Sequence, residues 1–246
     1  MIEKKACLLS APRTGSTMIT RALFKHPQAY FIGAIFSRKG WDGAGRGHAP
    51  LTEGLGEQWN DLDFRLNHHR ELMDRLFNLD VAPCIGFKHH LSNDRSIVET
   101  VLADDSIAKI VLTRPNMLAT FSSNIIARAK NETPAGEEPP KQMPFDAEEF
   151  RLHIKRRQRM LDSWEPQIAA AGERCLRITY TEARTDAGMD RILDFLGLET
   201  TPLERITKKR NSDSVIDRFT NPDEALTFLK EEGLEDWADE TVPEAV

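Results

Sequence analysis

Short apolar runs of about five residues alternate along the chain with longer stretches in which apolar positions recur at helical spacing. Residues 6–10 (ACLLS), 84–88 (CIGFK), 109–113 (KIVLT) and 175–179 (CLRIT) read as strands, with a weaker candidate at 29–33 (AYFIG). Their length and lack of polar alternation suit strands buried on both faces, as in a parallel sheet. Helical periodicity predicts helices over 17–25, 62–79, 97–102, 118–130, 147–171 and 189–196. In the second of these, Leu66, Met73, Leu76 and Phe77 turn towards one face. Strands alternating with helices specify an α/β class with three layers, a central, mostly parallel sheet flanked by helices.

Two stretches interrupt the pattern. Residues 38–50 (RKGWDGAGRGHAP) hold four glycines, and residues 131–144 (NETPAGEEPPKQMP) are rich in Pro and Glu. Both are expected to be irregular loops, and long loops of this kind often shape or cover a binding pocket. No internal repeat is present, and 246 residues suit one domain spanning 1–246.

Charge narrows the classes of partner. A net charge of -6 argues against a general nucleic-acid binder, which would carry a basic surface. It leaves open a small anion held by local amides and a few cations. No apolar run has the length of a membrane span and no signal-peptide pattern opens the sequence, so the expectation is a cytoplasmic protein. Cys7, Cys84 and Cys175 have no zinc-type spacing and fall in or beside strands, where they read as buried free thiols.

The sharpest local signal is Ser10-Ala11-Pro12-Arg13-Thr14-Gly15-Ser16-Thr17, between the first strand and the first helix. A strand–turn–helix there aims unpaired amides and the positive helix end at one point, which suits an anion. Gly15 permits close backbone approach, Ser16 and Thr17 add hydroxyls, and Arg13 supplies a fixed charge. The nucleotide-kinase loop reads G-x-x-x-x-G-K-S/T; here Ser10 replaces its first glycine, Ser16 replaces its lysine, and the cation has moved to Arg13. The strand at 109–113 is followed by Arg114 and not by a magnesium-binding Asp. Both departures disfavour ordinary ATP chemistry.

This loop and three further segments, in this order along the chain, resemble the PAPS-dependent sulfotransferase family, where PAPS is 3'-phosphoadenosine 5'-phosphosulfate. PRTGST is similar to the family's 5'-phosphosulfate loop. GFKHHL is similar to the Lys-x-His segment of the cytosolic members. KIVLTRPNMLATFSS is similar to its 3'-phosphate segment, with Arg114 followed eight positions later by Ser122. RITYTEARTDAGMDRILDFLGL is similar to a late strand and helix of the family, with Ala183 where Leu is common. The resemblance implies a P-loop-like sulfotransferase fold and PAPS as co-substrate, with no metal required. It assigns Arg13, Thr14, Gly15, Ser16 and Thr17 to the phosphosulfate and Arg114 and Ser122 to the 3'-phosphate. Arg210, in the basic run Lys208-Lys209-Arg210, falls where the family closes a basic segment over the nucleotide.

The reaction so implied is in-line transfer of a sulfuryl group to a hydroxyl or amine, with adenosine 3',5'-bisphosphate released. Arg13 would stabilise the leaving phosphate oxygen and Lys88 would act as a second cation. His90 matches the His of Lys-x-His and is the first candidate for general base; His89 is the second. Along a strand Lys88 and His90 share one side and His89 takes the other. Two positions depart from the family: Ala34 stands where carbohydrate-acting bacterial members often carry Glu, and Met18 where an aromatic residue often covers adenine. The acceptor class is a small molecule, glycan or lipid, with no nucleic acid and no membrane span; the sequence names neither the acceptor nor an oligomeric state. The competing readings are a nucleotide-binding module without turnover and a P-loop kinase or NTPase. Other polar clusters read as structural: Lys155-Arg156-Arg157 as a solvated helix face, and the adjacent His68 and His69 as pointing in different directions on a helix.

Overall fold

The computed structural model describes residues 4–37, 49–53, 55–133, 136–201 and 214–240. Most of the predicted loop at 38–50, and Arg210, lie outside these residues. In chain order the elements are β1 (Lys4–Ser10), α1 (Ser16–Lys25), β2 (Ala29–Ile32), α2 (Ala49–Thr52), α3 (Leu62–Asn67) and α4 (His69–Phe77). They continue with β3 (Cys84–His90), α5 (Arg95–Ala103), β4 (Ile107–Thr113), α6 (Met117–Glu132) and α7 (Ala147–Ala170). The chain closes with β5 (Cys175–Thr179), α8 (Asp186–Leu196) and α9 (Pro222–Glu232).

Two compact units emerge, one of Met1–Thr113 with Asp162–Thr207 and the other of Arg114–Leu161 with Lys208–Val246. The first holds a five-stranded sheet in the order β2-β3-β1-β4-β5, with every pairing parallel. β1 lies at its centre, in register with β3 (Ser10 opposite His90) and with β4 (Ser10 opposite Leu112). Its residues Ala6–Leu9 are fully buried, which is why this strand reads as an unbroken apolar run. Ala6, Leu8, Ile110 and Leu112 join Ile19 and Leu23 of α1 and Ile192, Leu193 and Leu196 of α8 in one core. Parallel strands place the loops that follow β1 and β3 at the same edge of the sheet, where α/β folds collect their functional groups.

The second unit is helical and aromatic. Phe121 of α6, Phe150 of α7, Phe228 of α9, and Phe145 and Phe219 between elements form its core. Ring centroids such as Phe121–Phe150 at 5.2 Å and Phe145–Phe219 at 5.4 Å show direct ring packing.

Several expectations from the sequence need correction. The helix expected over 62–79 is interrupted at His68 and forms α3 and α4. The break follows from local competition for the backbone: Asp61 caps α3 at the Phe64 amide, and the His69 ring bonds the Leu66 carbonyl at 2.8 Å. The basic triplet at 155–157 is not wholly solvated, because Arg157 is buried. Cys7 and Cys84 are buried thiols as expected, but Cys175, beside exposed Arg177, is only half-buried. Helix α9 has no counterpart among the expected helices, although Pro222 at its start, acidic Asp223 and Glu224, and Gly233 at its end mark it.

Candidate functional site

The loop between β1 and α1 is shaped by two left-handed residues, Arg13 at φ 66° and Gly15 at φ 87°. Arg13 is the non-glycine residue with positive φ among those described, and such strain persists where the surroundings hold it. Thr14 closes the loop by donating its hydroxyl to the Ala11 carbonyl at 2.8 Å. Its hydroxyl is therefore engaged inside the loop, and its contribution to an anion would come from the backbone. Gly15 is the N-cap of α1 and offers no side-chain acceptor to the first helical amides. A Cβ at Gly15 would lie 2.4 Å from Cδ2 of Tyr180, so the tyrosine ring packs on the glycine itself. Tyr180 is held there by its amide, which donates to the Thr113 carbonyl at 2.8 Å.

Strand β3 brings two more groups to the same unit. Lys88 is buried, and its Nζ reaches Thr17 Oγ1 in the first turn of α1 at 3.4 Å. The strand continues through His90, so Lys88 and His90 share one side, as alternation requires. His90 Nδ1 lies 3.1 Å from the Ser10 hydroxyl and 3.3 Å from the Ser10 carbonyl. A proton on Nδ1 satisfies the carbonyl and leaves the Nε2 lone pair as the basic atom. The end of β3 is anchored by Trp164, whose indole donates to the Leu91 carbonyl at 3.0 Å.

His89 has a different environment. It is fully buried, stacks edge-on against Phe36 at 6.0 Å, and its ring nitrogens make no hydrogen bond. Burial, and then the neighbouring His90, push its pKa down to about 4; the Asp94 backbone offsets part of this without reaching hydrogen-bond geometry. The His89 ring is shielded from solvent.

The second unit holds two further sets of polar contacts. Arg114, the residue after β4, forms a two-point ion pair with Glu240, with Nε to Oε1 at 2.7 Å and Nη2 to Oε2 shorter still. Ser122, buried in α6, accepts from Nη1 of buried Arg218 at 3.2 Å and donates to the Ala119 carbonyl. Burial, and next the Arg114 charge, push the Arg157 pKa down to about 10. In this unit Arg157, Arg218 and Glu240 are buried, and the Arg114 side chain is 9% exposed.

Ser10, Arg13, Thr14, Gly15, Ser16, Thr17, Lys88 and His90 thus belong to one unit, and Arg114 and Ser122 to the other. Arg157, Arg218, Glu240, Asn116 and Tyr180 are not among the site residues expected from the sequence. Tyr180 and Asn116 have a visible signal, since they lie in the RITYTEAR and KIVLTRPNMLATFSS segments. Among the described residues no group of three or more His, Cys, Asp or Glu is arranged to hold a metal ion, and no helix is long and apolar enough to cross a membrane.

No protein-family model and no curated protein matches the chain. Solved structures do. The sulfotransferase domain of the Synechococcus PCC 7002 olefin synthase aligns over 99% of this chain and 90% of its own, with 19% identity and a TM-score of 0.50. The sulfotransferase domain from the curacin biosynthetic pathway aligns over 99% of this chain and 93% of its own, at 16% identity and a TM-score of 0.48. Mouse sulfotransferase SULT7A1 complexed with PAP aligns over 94% of this chain and 85% of its own, at 13% identity and a TM-score of 0.49. The chain has the α/β fold of the sulfotransferases, a parallel sheet flanked by helices.

Proposed function

We propose that the chain acts as one sulfotransferase domain that transfers a sulfuryl group from PAPS to a hydroxyl or amine of a carbohydrate, lipid or small metabolite. The fold agrees with this reading, and the observation that carries it is the loop from β1 into α1, where Arg13 and Gly15 hold positive φ and Lys88 reaches Thr17. A donor with a phosphosulfate and a separate 3'-phosphate calls for two anion sets; the loop residues are assigned to the first, and Arg114 and Ser122 to the second. The chain's residues suit these groups: Gly15 lets the backbone approach closely, no side chain caps the start of α1, and Lys88 stands at the first turn.

PAPS supplies the sulfuryl group and departs as adenosine 3',5'-bisphosphate. Arg13, Lys88, Ser16, Thr17 and the amides from Thr14 onward hold the 5' end and take up charge on the leaving phosphate oxygen. Arg114, Ser122 and Arg218 hold the 3'-phosphate. His90, with Nδ1 anchored at Ser10, accepts the acceptor's proton on Nε2 as the acceptor oxygen or nitrogen attacks sulfur. We assign the base to His90 and a packing role to His89. Alanine at position 34 leaves no carboxylate there to take the role.

The test is release of adenosine 3',5'-bisphosphate from PAPS across a panel of sugar, lipid and small-alcohol or amine acceptors, with wild type and His90→Ala. Acceptor-dependent release is expected, with kcat lowered about 10²–10⁴-fold in the variant and bisphosphate affinity retained. Bisphosphate binding without turnover on any acceptor would turn the reading to a nucleotide-binding module. An unimpaired His90→Ala would remove His90 from the chemistry.

A further inference from the structure

The Arg114–Glu240 pair is buried on both sides, with side chains 9% and 2% exposed. The backbone that presents Glu240 is itself fastened within the unit. Val215 donates to the Ala238 carbonyl at 2.8 Å, and Ser214 bridges Asp239 in antiparallel fashion. Asn116 Nδ2 donates to the carbonyls of both Trp237 and Asp239 at 3.0 Å, while its Oδ1 caps α6 at the Ala119 amide at 2.8 Å. Residues 114 to 116 therefore fix a guanidinium and also the strap that brings a carboxylate onto it.

The Nε–Nη2 edge of an arginine accommodates one two-point anion at a time. Glu240 uses both atoms of that edge. A phosphate held by Arg114 through the same edge has to exchange with it. We propose that Glu240 is a competitor built into the chain for the anion seat on Arg114, and that it sets the affinity and charge selectivity of that seat. The inference rests on the reading of Arg114 as a phosphate anchor.

Charge decides the exchange. A carboxylate brings one negative charge, whereas a phosphate monoester carries about -1.5 to -2 near neutral pH. Arg157 lies close enough to Arg114 to be perturbed by it, so the more highly charged anion gains more from the cluster. A sulfate ester or a cyclic phosphodiester bears a single charge and has no such advantage over Glu240. The seat thereby favours a terminal phosphate monoester and disfavours singly charged look-alikes.

Glu240→Gln keeps the shape and removes the charge. Calorimetric titration of wild type, Glu240→Gln and Glu240→Asp would use adenosine 3',5'-bisphosphate and 5'-AMP, after thermal melting shows each variant folded. The expected result is at least about tenfold tighter bisphosphate binding in Glu240→Gln, with an intermediate gain in Glu240→Asp and no change for 5'-AMP. If Glu240→Gln does not fold, Glu240→Asp decides in its place: a gain in bisphosphate affinity supports the competitor, and no gain overturns it. Unchanged or weaker bisphosphate binding would overturn the proposal and make Glu240 a support that orients Arg114. Failure of the phosphate-anchor reading has a separate signature: wild type would bind the two nucleotides equally and the variants would alter neither, which would overturn the competitor as well.

Discussion

Gly15 holds φ at 87° and has no Cβ where the Tyr180 ring comes closest, so two independent constraints meet at one residue. Gly15→Ala is expected to destabilise the protein by about 1–3 kcal/mol through the backbone alone, and by more through the clash with Tyr180. Chemical denaturation checks the first expectation. Combining Gly15→Ala with Tyr180→Ala should recover part of the loss, and full recovery would mean that backbone strain is negligible. At this scale the sequence reveals what lies close together along it. Arg13, Gly15, Ser16 and Thr17 stand within one loop, and Lys88 and His90 within one strand. Glu240 is invisible in it because its partner Arg114 lies 126 positions away. Arg157 reads as solvated because a basic triplet on a helix does not disclose which face is covered.

Asn116 links two elements, and its loss is an element-scale event. Asn116→Ala would remove the cap of α6 and two bonds to the strap at 237–239. With a cap worth about 1 kcal/mol and each net hydrogen bond of similar size, a loss of about 2–3 kcal/mol is expected in urea denaturation. A change below about 0.5 kcal/mol would mean that the strap is held by other contacts. The strands are legible as apolar runs because parallel strands buried on both faces carry no polar alternation. Helix α6 is legible too, beginning at Met117 against an expected 118. The interruption at His68 is not, since it depends on the His69 ring bonding the Leu66 carbonyl, which no apolar period records. Helix α9 escapes because its apolar stripe is short, and only its start and stop residues announce it.

At the scale of the whole molecule, a sheet-bearing unit offers a helix-start loop with Lys88 and His90, and a helical unit offers Arg114 paired with Glu240 and Arg218 bonded to Ser122. Either set alone suits many phosphorylated ligands. The proposed donor has two separated anionic ends, and its 3'-phosphate distinguishes it from those ligands. The most direct measurement is calorimetric titration of the wild-type chain with adenosine 3',5'-bisphosphate, 5'-AMP and Mg-ATP. A charge-assisted hydrogen bond contributes about 1.5–3 kcal/mol, so even one net bond to the 3'-phosphate gives a preference of at least about tenfold for the bisphosphate over 5'-AMP. That preference, with Mg-ATP weaker still, is the expected result. Equal binding of the bisphosphate and 5'-AMP, or tighter binding of Mg-ATP, would contradict the account.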